Sequence, residues 1–247
     1  MAGGKVVVIT GATSGIGRAA AIGMAAAGFQ VAICGRRTDR LEETRTQAGA
    51  AFAATCDVTD HEDVARFFAD ARDALGRIDV VFNNAGQTAP RAAFGDIEIA
   101  DWRRIVSVNL DGAFYVAREA FRHMRAQDPQ GGRIINNGSI SAYVPRPQAG
   151  PYNATKHAIT GLTKSIALDG RPFNIACGQI DIGNTATDMT ARMSTGSLQA
   201  DLSTKPEPTF DVRHVVDALI YMANLPPEAN VQFMTVMATA MPYIGRG

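Results

Sequence analysis

Tyr152 and Lys156 stand four residues apart, with Pro151 immediately before them. Residues at i and i+4 share a helix face, and Pro suits a helix's first turn, so the sequence predicts an ammonium beside a phenol. A phenol ordinarily titrates near ~10 and is a poor base at neutral pH. A unit positive charge ~4 Å away is worth roughly 4 kcal/mol at an effective dielectric of ~20. At ~1.36 kcal/mol per pKa unit, that brings the phenol toward neutrality. The expectation is a proton-exchanging Tyr152 tuned by Lys156.

A second group of residues suits a phosphate. Val6–Ile9 runs straight into Thr10-Gly-Ala-Thr-Ser-Gly-Ile-Gly17. Gly11, Gly15 and Gly17 permit a tight turn and a close approach of the backbone to a pyrophosphate. The helix that follows offers unpaired N–H groups and the positive end of its dipole.

These groups need a scaffold, and the pattern supplies one. Apolar runs at Val6–Ile9, Val31–Cys34, Ala50–Thr55, Asp79–Phe82, Arg133–Asn136, Phe173–Ile180 and Gln232–Met237 read as strands. Helices are predicted over Ile16–Ala27, Leu41–Gln47, Asp63–Leu75, Asp101–Arg125, Tyr152–Asp169 and Val212–Ala223. Asp39 and Glu42 have capping-box spacing at the second of these. Such alternation implies an α/β fold with a mostly parallel sheet covered by helices on both faces. No linker or repeat interrupts it, so residues 1–247 read as a single domain. Residues 183–210, rich in Ser, Thr, Met, Gly and Pro, read as a substrate lid, because so long a loop is usually functional.

Composition narrows the class. Twenty-four Lys+Arg balance 24 Asp+Glu among 247 residues, which argues against a nucleic-acid partner and gives no pull toward an anionic membrane. No run approaches the ~18 apolar residues that span a bilayer, and the expected location is the cytoplasm. Cys34, Cys56 and Cys177 have no CxxC spacing, so neither a disulfide framework nor a metal site is expected, and Cys34 and Cys177 read as buried thiols. His61, His123, His157 and His214 lack ligand spacing and read as ordinary polar residues.

Taken in chain order, these residues resemble the short-chain dehydrogenase/reductase family, of the short single-domain kind. Thr10–Gly17 is similar to its cofactor loop, and Asp57, followed by Val58, to the acid that meets the adenine. Asn83-Asn-Ala-Gly86 is similar to its NNAG motif. Asn109, Ser139, Tyr152 and Lys156 resemble its catalytic tetrad; Ser141 is the rival to Ser139. The resemblance implies a Rossmann-type doubly wound fold and hydride transfer between a nicotinamide and a carbonyl or secondary alcohol. It implies Tyr152 as general acid/base, with Lys156 also holding the nicotinamide ribose. Ser139 would hold the substrate oxygen, and Asn109 a water linking Lys156 to solvent. Cofactor contacts would come from Gly11, Thr13, Ser14, Gly15, Ile16, Gly17, Asp57, Val58, Asn84, Ala85, Gly86, Tyr152, Lys156, Ile182 and Thr187. Ile182 stands where the family usually has Pro.

The end of the second strand bears on cofactor choice. An acid there would accept hydrogen bonds from the 2′-hydroxyl of NAD. This chain has Cys34-Gly-Arg-Arg-Thr38. Arg36 or Arg37 can pair a 2′-phosphate through a charge-assisted fork, so NADP(H) is favoured, with NAD(H) as the alternative. The substrate itself is not legible, although Met189, Met193 and Leu198 hint at an apolar pocket. The helix from Tyr152 carries small and apolar residues around most of its circumference, which predicts a homodimer or homotetramer. The alternative to an enzyme is a catalytically silent dinucleotide sensor or scaffold on the same fold.

Overall fold

Val6, Val7, Val8 and Ile9 are β-branched and buried on both sides, as a strand covered by helices on each face requires. They begin β1 (Val6–Thr10). It is followed by β2 (Gln30–Gly35), β3 (Phe52–Thr55), β4 (Val80–Asn83), β5 (Gly132–Asn137), β6 (Ile175–Ile182), the short β7 (Ser197–Leu198) and β8 (Thr204–Lys205), and β9 (Phe233–Val236). The helices are α1 (Gly15–Ala26), α2 (Thr38–Ala48), α3 (His61–Leu75), α4 (Ile99–Val106), α5 (Gly112–Ala126), α6 (Gly150–Asp169) and α7 (Arg213–Asn224). The computed structural model describes residues 4–186 and 196–244.

The sheet runs β3-β2-β1-β4-β5-β6-β9, every pair parallel. Successive side chains on a strand face opposite ways, so β1 feeds two cores. Val7 and Ile9 pack with Ala20 and Met24 of α1 and Val215 and Leu219 of α7. Val8 packs with Phe67 and Phe68 of α3 and Val116 and Met124 of α5. Strand order reverses between β1 and β4, which opens a crevice beyond their carboxyl ends. The fold is the expected Rossmann-like, doubly wound one.

Several boundaries differ from expectation, each for a local reason. The Asp39–Glu42 capping box does not form. Helix α2 starts at Thr38 with Arg37 as its N-cap, and Glu42 pairs with Arg45 instead. Asp60 caps α3 by accepting from the Glu62 and Asp63 N–H groups, so that helix starts two residues early. Strand β3 starts at Phe52, because Gly49 ends α2 in a left-handed conformation and the Ala50 N–H still bonds back to Arg45. Strand β6 is shifted to Ile175–Ile182, because Pro172 sits in a single turn and Asn174 takes φ 56°.

The single helix expected over Asp101–Arg125 is two helices joined by a wide π-type turn, Ser107–Asp111. Asn109 lies in that turn with its side chain buried. Residues 183–210 hold more order than a plain loop among the described residues. Ser197 pairs with Lys205 in an antiparallel ladder, and Thr185 bridges Phe210. Thr187, Met189 and Met193 lie outside the described residues.

Candidate active site

The crevice at the β1/β4 switch is a cleft of about 320 Å³. Its floor is the turn from β1 into α1. Gly11 has φ +66°, and a Cβ there would lie 2.9 Å from the Ala85 Cα. A Cβ on Gly17 would lie 2.4 Å from the Gly11 carbonyl oxygen. Only glycine fits at either place. Helix α1 has no side-chain cap bond from Ser14 and no acid in its first turn. Its leading N–H groups therefore face the cleft without a side-chain acceptor, as a phosphate site requires. Thr13, Ser14, Gly15 and Ile16 line the same turn.

One wall comes from β2 and the residues after β3. Arg36 and Arg37 both line it. Arg37 donates to Thr13 Oγ1 at 2.7 Å and Ser14 Oγ at 2.8 Å, lashing the turn. Arg36 approaches Asp57 at 3.6 Å. Burial would raise the Asp57 pKa, but bonds from the Thr59 N–H and hydroxyl and the Arg36 charge outweigh it, and it lies below its ordinary value. Val58 completes this wall. Asp39 is exposed on α2 and does not line the cleft.

The far wall is braced by hydrogen bonds. Thr10 Oγ1 accepts from the Asn84 and Ala85 N–H groups, both at 3.0 Å. Asn84 donates back to the Thr10 carbonyl at 2.8 Å, and Asn137 donates to Asn84 Oδ1 at 2.8 Å. Gly86 and Ile182 also line the cleft. Every candidate cofactor residue that is described thus borders one cleft; Thr187 falls outside the described residues.

Tyr152 and Lys156 reach the cleft from the first turns of α6. Lys156 is buried and donates to the Asn137 carbonyl at 2.6 Å; its Nζ lies 5.6 Å from the centroid of the Tyr152 ring. Burial pulls the Lys156 pKa down to about 8, with Asp181 opposing. The expected tuning of the phenol by Lys156 does not govern here. Burial raises the Tyr152 pKa above its ordinary value; a hydrogen bond with Ser139 and the Arg146 charge lower it, and Asp181 raises it. Ser139 is buried beside Tyr152, and Ser141 gives its N–H to the Ser139 hydroxyl at 3.1 Å. Ser139 is thus the serine that meets the phenol. Asn109 lies behind the cleft: its amide accepts from the Gln87 N–H at 2.8 Å and donates to the Gln87 carbonyl at 2.9 Å.

Two features escaped the sequence reading. Asp181 is fully buried beside Ser139; the only signal was an acid directly after an apolar run. Arg146 donates to Glu207 at 2.8 Å and to Asn184 at 2.8 Å, and Asn184 and Gln199 also donate to Glu207. This clasp ties the loop before α6 to the chain after β8. Among the described residues no group of His, Cys, Asp or Glu is arranged to hold a metal, and no helix is long and apolar enough to cross a membrane.

Comparison with known proteins agrees with this fold. A family model described as "short chain dehydrogenase" matches residues 5–197. A 3beta-hydroxysteroid dehydrogenase of Mediterraneibacter gnavus is 35% identical over 205 residues, covering 81% of this chain and 71% of that protein. The 3-ketoacyl-(acyl-carrier-protein) reductase of Brucella melitensis, solved with NADH, superposes with a TM-score of 0.85 at 25% identity, over 96% of this chain and 98% of the other. An actinorhodin polyketide ketoreductase variant, solved with NADPH, superposes with a TM-score of 0.84 at 26% identity, over 94% and 95%.

The clasp makes a pH prediction. Burial would raise the Glu207 pKa, but its donors hold it down to about 2, against 4.5 ordinarily. A folded pKa below the unfolded one stabilises above pH ~4.5, and that stabilisation fades as pH falls toward 2. The contribution is on the order of 3 kcal/mol. Urea melts should find Glu207→Gln less stable than wild type at pH 7, with the gap closing as pH drops through this window. A constant gap would show that the clasp is not the source.

Proposed function

The chain belongs to the short chain dehydrogenase family, and from that premise we propose that it moves a hydride between NADP(H) and the carbonyl or secondary alcohol of a small molecule, with Tyr152 exchanging the proton. Its relatives are named dehydrogenases and reductases, and it is an NAD(P)-dependent oxidoreductase. The observation that carries the finer reading is that Tyr152, hydrogen-bonded to Ser139, and Lys156 line a cleft floored by a glycine turn.

The cleft's residues fit a dinucleotide. The uncapped start of α1 takes the pyrophosphate, and Gly11 and Gly17 leave room for it. Asp57 and Val58 border the adenine end, and Asn84, Ala85, Gly86 and Ile182 the nicotinamide end; the resemblance assigns Thr187 to the nicotinamide as well. When bound, the nicotinamide supplies or accepts the hydride. The protein does the rest. Tyr152 gives its hydroxyl proton to the substrate oxygen during reduction, or takes one during oxidation. Ser139 holds that oxygen where charge develops. Lys156, fixed by the Asn137 carbonyl, holds the nicotinamide ribose, and Asn109 keeps the water that links Lys156 to solvent.

Arg36 and Arg37 support NADP(H). They are the cations on the β2 side of the cleft, no acid ends β2, and Asp57 is already engaged. Residues 183–210 act as the lid. The outer side of α6, with Ala154, Gly161 and Leu168 exposed, supports assembly as a homodimer or homotetramer.

Three measurements test this reading. Tyr152→Phe should lose about 10²–10⁴-fold in kcat while still binding NADPH. Wild-type turnover in that variant would remove Tyr152 from the chemistry and leave the silent sensor. NADPH should have the lower KM of the two cofactors, and replacing the pairing arginine, Arg36 or Arg37, by Ala should raise it about tenfold or more with little change for NADH. A preference for NADH overturns the cofactor assignment. Sedimentation at micromolar concentration should find dimers or tetramers; a monomer refutes the assembly.

A further inference from the structure

Strand β6 interrupts its apolar run with Gln179 and Asp181, and both are fully buried. Two apart on a strand, they face the same side. A buried carboxylate is tolerated only when well supplied with donors. Asp181 has three. The Ser139 N–H reaches Oδ1 at 2.9 Å, Gln179 Nε2 reaches Oδ1 at 2.7 Å, and the Tyr143 hydroxyl reaches Oδ2 at 3.1 Å. A set made only of donors suits an ionised carboxylate, which can only accept.

One of these donors, Gln179, ends a chain of bonds that all run one way. Asn83 Nδ2 donates to Asn136 Oδ1 at 3.0 Å, and Asn136 Nδ2 to Thr163 Oγ1 at 2.9 Å. Thr163 donates to Gln179 Oε1 at 3.0 Å, and Gln179 to Asp181. The chain crosses β4, β5, α6 and β6 in the buried interior and ends on the carboxylate. Bonds aligned in one direction polarise one another and favour negative charge at the accepting end. The carboxylate is also tightly enclosed, since a Cβ on Gly138 would lie 2.1 Å from its Oδ1.

We propose that Asp181 is a positioning residue for this reaction: its carboxylate holds the Ser139 backbone and the Tyr143 phenol and sets a negative charge beside the Tyr152–Lys156 pair. The proposal rests on the reading of Ser139, Tyr152 and Lys156 given above.

The charges around it fix the sign. Facing Asp181 are Lys156 and Tyr152 from α6, Tyr143 from the chain after β5, and Tyr243 near the last described residues. Burial drives Lys156 toward its neutral amine, and Asp181 is the charge that opposes it. The same negative charge makes the Tyr152 phenol harder to ionise, while Arg146 makes it easier. Asp181 therefore favours a charged Lys156 beside a protonated Tyr152. That is the resting state for donating a proton to a carbonyl oxygen.

Asp181→Asn tests the charge with little change of shape. Its amide oxygen can still accept from Ser139, and its NH₂ can face the Tyr143 oxygen. The chain holds four lysines, Lys5, Lys156, Lys164 and Lys205, so ¹³Cε-lysine labelling gives four NMR titrations. The Lys156 signal is the one lost in Lys156→Arg. In wild type it should titrate near pH 8. In Asp181→Asn it should move to lower pH by about half a unit or more, with the other three unmoved. The alkaline limb of kcat for carbonyl reduction should move the same way. Superimposed Lys156 curves overturn the proposal. Asp181→Ala repeats the test if the amide variant does not fold. If neither folds, the carboxylate serves the fold rather than the site, and the proposal fails. The titration needs no turnover, so wild type inactive on every carbonyl would sink the proposed function while leaving the lysine shift readable.

Discussion

The site depends on the ends of β1, β4 and β5 being tied together where the sheet's order reverses. A gap must open there, because the chain leaves β1 and β4 toward opposite faces. Open strand ends expose backbone groups that need partners. Thr10 supplies an acceptor for two of them, Asn84 returns a bond to the Thr10 carbonyl, and Asn137 pins Asn84. Lys156 then takes the Asn137 carbonyl. The same lashing that closes the gap's back wall carries the ammonium to its place. Shape and charge at the cleft are therefore set by one set of hydrogen bonds.

The electrostatics of the pair on α6 follow from burial more than from proximity. A lysine beside a tyrosine suggests that the cation acidifies the phenol. Here the ammonium bonds a carbonyl, and burial raises the phenol while lowering the amine. Both groups move toward their neutral forms, as desolvation demands. Opposing charges from Arg146 and Asp181 then act on a balance that burial has already tilted. A dinucleotide entering this cleft would change that burial, and the resting values belong to the open site.

The parts legible in the sequence are those whose chemistry is local. The glycine turn could be read because its backbone demands glycine at Gly11 and Gly17 whatever surrounds it. Tyr152 and Lys156 could be read because helix geometry fixes their relation. The alternation of continuous apolar runs with helical segments gave the fold class, since strands buried on both faces carry no polar alternation of their own. The Arg146–Glu207 clasp was hidden because its partners lie 61 residues apart. Asp181 was hidden because two of its three donors, Ser139 and Tyr143, come from another segment, and a lone acid at the end of an apolar run carries no periodic signal. The wide turn at Ser107–Asp111 was hidden because apolar spacing continues through it into α5.

That turn also sets the angular phase of everything after it. One residue removed from Ser107–Asp111 would restore an ordinary α-turn and swing α5 by about 100° around its axis. Gly112 would leave its seat against Val58, where even a Cβ would already come within 2.9 Å. Val116, Ala120 and Met124 would rotate out of the core together. Point changes on the outer side of this rod leave its phase untouched, whereas a change of length here reaches core and cleft at once.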